Sequence, residues 1–177
     1  MIGRLATAPA LTRPDLLAEP VVRALEKHGG DQVLVAEIDP ELADTAAFCE
    51  TYQVPLEMSA NCVVVAGRRG GDQRVAACVV LATTRADVNN VVRKRLDVRK
   101  ASFLAMEDAV EATGMEYGGI TPLGLPADWP ILVDAAVIDI PYVIVGSGVR
   151  RSKIAIPGEA LVALPNADVV DGLARPA

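Results

Sequence analysis

The side chains able to do chemistry in this chain are few, and glycine and proline cluster where such side chains would be sought. The single histidine, His28, stands just before Gly29-Gly30, where a cation complements the end of a helix. Without a second histidine, a Ser-His-Asp relay or a histidine-rich metal site has no partner for its first member. Cys49, Cys62 and Cys78 are odd in number and lack C-x-x-C spacing. They read as reduced, buried and inert cysteines of a cytoplasmic protein. There is no G-x-x-x-x-G-K-[ST] run, and Gly67, Gly70 and Gly71 do not stand at the strand-to-helix junction of a dinucleotide fingerprint. No metal and no cofactor is expected.

Two backbone-rich loops remain. One is Gly118-Gly119-Ile120-Thr121-Pro122-Leu123-Gly124-Leu125-Pro126, and the other is Gly146-Ser147-Gly148-Val149-Arg150-Arg151. Adjacent glycines followed by proline-fixed turns let N–H groups come close to a ligand, and the prolines hold that shape at low entropic cost. Spacing alone also suits a surface turn for the first and a plain hairpin turn for the second. Both readings stay open at this point.

The surrounding patterns supply the elements that must position these loops. Residues 13–28 carry Leu16, Leu17, Val21, Val22 and Leu25 at near-helical spacing, and Pro20 divides the run or opens a second helix. A strand is expected over 32–38 and a helix over 40–52. Residues 62–67 and 73–81 form a hairpin around Arg68-Arg69-Gly70-Gly71-Asp72. A turn symmetric about Gly70 sets Cys62 opposite Cys78, as a reduced pair or a cross-strand disulfide. Helices follow at 86–96, 106–113 and 158–164, with strands at 102–104, 131–133, 142–145, 153–156 and 168–170.

With 51% apolar residues and only 3% aromatic ones over 177 residues, the core must be built from Val, Ile, Leu and Ala. That suits one α/β domain, a mixed sheet wrapped by helices. The apolar runs fall far short of the ~20 residues that span a bilayer, so no membrane partner is expected. The net charge of −6 is uneven: residues 1–60 hold ten acidic and four basic side chains. Arg68-Arg69, Arg93-Lys94-Arg95, Arg99-Lys100 and Arg150-Arg151-Lys153 stand as local basic groups. They read as solvated turns and helix ends, or as a face for the end of a polyanion. A chain this acidic is not expected to grip duplex DNA.

In their order along the chain, these pieces resemble the YbaK/EbsC family, free-standing relatives of the editing domain of bacterial prolyl-tRNA synthetases. The stretches that carry the resemblance are Cys62-Val-Val-Val, Ala77-Cys-Val-Val-Leu, Val98-Arg-Lys-Ala-Ser-Phe, Gly118-Gly-Ile-Thr-Pro-Leu-Gly, Ile131-Leu-Val-Asp and Val145-Gly-Ser-Gly. The resemblance implies a partly barrel-like mixed sheet over residues 43–174, with residues 1–42 a helical and strand extension packed on it. It implies a deacylase acting in trans on the aminoacylated 3′ end of a mischarged tRNA, as a monomer or homodimer. Gly118 and Pro122 match the family's G-x-x-x-P motif, and Asn61, Gly118 and Gly119 stand as the catalytic candidates. Ile120, Thr121, Pro122, Gly124, Asp134, Gly146, Ser147 and Gly148 are the substrate-binding candidates. Similar editors carry a lysine where this chain has Asn61, which donates a hydrogen bond but no charge. Lys100 and Lys153 are alternative sources of charge, though no spacing puts either beside the loops. A module of the same fold that binds an aminoacyl-tRNA end, or a related nucleotide or amino-acid ligand, without cleaving it is the alternative.

Overall fold

The computed structural model describes residues 2–177. In chain order its strands and helices are β1 (Thr7–Pro9), α1 (Glu19–His28), β2 (Leu34–Glu37), α2 (Thr45–Tyr52), β3 (Ala60–Arg69), β4 (Asp72–Leu81), β5 (Thr84–Ala86) and α3 (Arg93–Leu96). They continue as β6 (Ala101–Phe103), α4 (Met106–Thr113), β7 (Ile131–Asp134), α5 (Ala135–Ile138), β8 (Val143–Gly146), β9 (Ser152–Ile156), β10 (Ala167–Val170) and β11 (Ala174–Pro176).

Several boundaries follow from single residues. Pro20 sits in the first turn of α1, where its missing N–H costs nothing, so the apolar run over 13–28 becomes a 3-10 turn followed by a helix. The helix closes on Gly29 at φ 94°. The expected single helix over 86–96 is a turn of π-helix at Val88–Val92 running into α3. The Asp87 carboxylate accepts the Asn90 N–H at 3.2 Å, and the Val92 N–H reaches back five residues to Asp87 O at 3.1 Å. The short strands β1, β5 and β11 and the four-residue α5 carry no periodicity long enough to announce them.

The hairpin register differs from the symmetric one. Gly70 and Gly71 both have positive φ, 58° and 92°, and together form a two-residue turn that pairs Arg69 with Asp72. The ladder then sets Cys62 against Val79 and Val63 against Cys78. Directly paired residues share a face and neighbours alternate, so the two cysteines lie on opposite faces of the sheet. No cross-strand disulfide is possible, and all three cysteines are free thiols.

The mixed, helix-wrapped sheet implied by the sequence is present as unclosed sheets. One runs β10-β7-β4-β3-β6 and another β1-β2-β9-β8, while β11 and β5 form a small ribbon. A parallel bridge from Ser59 to Ile144 joins the start of β3 to β8. The largest apolar cluster fills the space between the two sheets, with Val79, Val133, Val145, Ile154 and Ile156 meeting Val21 and Leu25 of α1. A second cluster lies under the π-turn and α3, and a third under α2 around Phe48. The N-terminal residues belong to this body, because β2 pairs with β9 along its length.

Candidate active site

A cavity of about 320 Å³ opens beside the Ser59–Ile144 bridge. Its walls come from the start of α2 (Asp44, Thr45, Phe48), from β3, and from β8 and β9 on the neighbouring sheet. Phe103 and Met106 stand at its outer edge, 63% and 44% exposed. Among the sequence-level candidates, Asn61, Gly118, Ile120 and Gly146 line it.

The two glycine loops meet backbone against backbone. Gly148 N–H donates to Gly119 O at 2.7 Å, and Glu116 N–H donates to Gly148 O at 2.8 Å. A methyl group on Gly119 would come within 2.9 Å of the Val149 backbone, and one on Gly146 within 2.7 Å of Gly119 O. Both positions therefore need glycine for close approach. The Gly118 and Ile120 N–H groups, both on cavity-lining residues, have no hydrogen-bond partner among the described residues. Arg150 straps this junction from outside: its guanidinium donates to Tyr117 O at 3.1 Å and Pro40 O at 3.0 Å.

The other candidates stand behind the wall. Thr121, Pro122 and Gly124 do not line the cavity; Thr121 is fully buried and its hydroxyl has no partner among the described residues. Gly124, at φ 84°, packs against the Pro20 carbonyl. The Ser147 hydroxyl accepts the Val149 N–H at 3.3 Å and lies 2.6 Å from the Ser152 hydroxyl, holding its own turn. Asp134 ends β7 on the far side; burial raises its pKa, and the N–H groups of Ala174, Leu173 and Ala135 oppose that rise.

Two features of the wall escape a reading by spacing. Cys62 is half-buried on the cavity side, in contrast to the buried position expected of it. Burial pushes its thiol pKa up, which keeps it protonated and unreactive at neutral pH. Lys153 also lines the cavity, while Lys100 is exposed. All five residues of β9 are buried, so a cationic residue inside that run was the available signal. Opposite it, Thr45 Oγ1 donates to Asn61 Oδ1 at 2.7 Å. With its oxygen so engaged, the Asn61 amide keeps its NH2 group as a donor.

Comparison with known proteins bears on the same segments. The family model for the aminoacyl-tRNA editing domain matches residues 39–164, a span that contains every cavity-lining residue. An uncharacterized protein of Bacillus subtilis (strain 168), YwhH, is 28% identical over 127 residues, 72% of this chain and 78% of that protein. Among solved structures, a putative trans-editing enzyme for prolyl tRNA synthetase superposes with a TM-score of 0.74 at 22% identity, covering 87% of this chain and 94% of the other. The hypothetical protein APE2540 gives 0.76 at 19% identity, covering 89% and 100%. These structural likenesses cover most of the chain. A match over more than half of the chain, with both glycine loops inside it, makes this protein a member of the aminoacyl-tRNA editing domain family.

Proposed function

We propose that the protein hydrolyses, in trans, the ester bond that joins a wrongly attached amino acid to the 3′ end of a tRNA. The observation that carries this reading is a 320 Å³ cavity lined by Gly118 and Ile120, whose N–H groups have no hydrogen-bond partner among the described residues. A cavity of that size suits an aminoacyl group, and donors of that kind suit an oxygen that becomes negative as the ester carbonyl turns tetrahedral. An aminoacyl ester is intrinsically reactive, so orientation and charge stabilisation can supply most of the acceleration without a protein nucleophile.

In this reading water adds to the carbonyl carbon, and the bond to the ribose oxygen breaks. The ribose oxygen leaves with the proton that the water gives up, and the vicinal ribose hydroxyl helps to orient the water. The Asn61 amide donates to the carbonyl or to that hydroxyl. Exposed Phe103 at the rim receives the terminal base by stacking, and the Arg150 guanidinium, which packs beside cavity-lining Gly118, receives a phosphate by charge. Such a substrate places the protein in the cytoplasm.

The test is a panel of mischarged tRNAs incubated with the protein, with free amino acid followed over time. At least one is expected to be deacylated well above its spontaneous rate. If all stay at that rate while aminoacyl-adenosine analogues bind, the protein is a binding module of the same fold.

A further inference from the structure

Lys153 is 8% exposed and lines the cavity from β9. Its Nζ donates to Ala43 O at 3.0 Å and stands 5.3 Å from the centre of the Phe48 ring. An ammonium has three N–H donors, and the carbonyl of Ala43 takes one. Among the described residues it forms no ion pair. A buried ammonium without a counter-ion is strongly disfavoured, and an aliphatic side chain would fill the same space without that cost. On β9 the neighbours Ile154 and Ile156 turn into the core between the sheets, whereas Ala155 joins the cluster under α2. Strand alternation puts Lys153 on the α2 side, where the cavity lies.

A carboxylate shares this wall. Asp44 follows Ala43, is exposed, and lines the same cavity, forming no ion pair among the described residues. A buried cation beside a carboxylate at the rim matches the two polar ends of an aminoacyl ester: a carbonyl oxygen that becomes negative and an α-ammonium.

We propose that Lys153 is a catalytic residue whose ammonium holds the ester carbonyl oxygen as it becomes an oxyanion, while Asp44 takes the α-ammonium of the substrate. This rests on the deacylase reading above. Lys153 keeps all its protons throughout: water adds to the carbonyl carbon, the bond to the ribose oxygen breaks, and the proton from water leaves on that oxygen.

Two adenosine analogues separate this role from a structural one. Both carry an α-ammonium; one has an anionic tetrahedral phosphonate in place of the ester carbonyl, and the other a neutral amide. Lys153→Met is expected to weaken phosphonate binding on the order of 10²-fold, the scale of a lost oxyanion donor, and to leave amide binding nearly unchanged. Asp44→Asn should weaken both alike. On a cleavable tRNA, Lys153→Met should lower kcat far more than it raises KM. If Lys153→Met does not fold, as judged by circular dichroism, Lys153→Gln takes its place, since it keeps a donor for Ala43 O. Equal loss for both analogues, no loss for either, or a wild type that binds neither overturns the proposal. A wild type that binds both analogues yet cleaves no mischarged tRNA overturns the deacylase reading alone, because the phosphonate comparison needs no turnover.

Discussion

At Gly118 the backbone has φ 79°, and a methyl group there would meet the Arg150 guanidinium at 2.6 Å. Gly118→Ala is therefore expected to lower stability by about 1 kcal/mol, read from urea unfolding. It should also lower kcat for deacylation on the order of 10²-fold, the scale of a 1 Å misplacement in a site. Thr121 poses the opposite case. Its hydroxyl is buried without a partner among the described residues, so Thr121→Val should leave deacylation unchanged and raise the melting temperature, with a gain of about 1 kcal/mol. A loss of activity in that variant would show that the hydroxyl meets substrate after all. Burial lowers the Lys153 pKa below 10.5, with Arg150 adding to the effect and Cys49 and Asp44 opposing it. A lysine lowered by folding binds protons more weakly in the native chain than in the unfolded one. Its contribution to stability thus rises as pH climbs from the folded pKa towards 10.5. Denaturant midpoints measured across that range should rise more for the wild type than for Lys153→Met.

The hairpin of β3 and β4 shows how one turn decides what a strand presents. Two glycines at positive φ close it in two residues, which moves the register by one from a turn centred on Gly70. Cys62 then faces the cavity side with Val79, and Cys78 the opposite side. Mild oxidation of the native protein should accordingly give no intramolecular Cys62–Cys78 bond, as judged by mass after alkylation and digestion. Gly71→Val should destabilise the hairpin by about 1 kcal/mol or more, because a β-branched residue resists φ 92°. The strand β9 carries two kinds of information along one period: its alternate isoleucines hold the sheets together, and its lysine enters the other layer.

The whole molecule is one body in which the residues before the editing-family match carry structural weight. Strand β2 covers the edge of β9, and Val21, Leu25 and Val35 belong to the cluster between the sheets. Deleting residues 1–38 should bare that edge and that cluster, giving aggregation or loss of a cooperative unfolding transition in calorimetry. Among the described residues no helix is long and apolar enough to cross a membrane. By itself the amino-acid sequence determined the α/β character, most strand and helix positions, the family, and the two glycine loops. Each of these depends on local periodicity, turn chemistry or motif order, which a linear reading contains. Only the tertiary structure decided which loop residues face the cavity, that Ser147, Thr121 and Gly124 lie behind it, and that Lys153 leaves the basic Arg150-Arg151 group for the interior. Those outcomes depend on register and on contacts between residues more than a hundred positions apart, such as Lys153 with Ala43, and no spacing in the chain encodes such a contact.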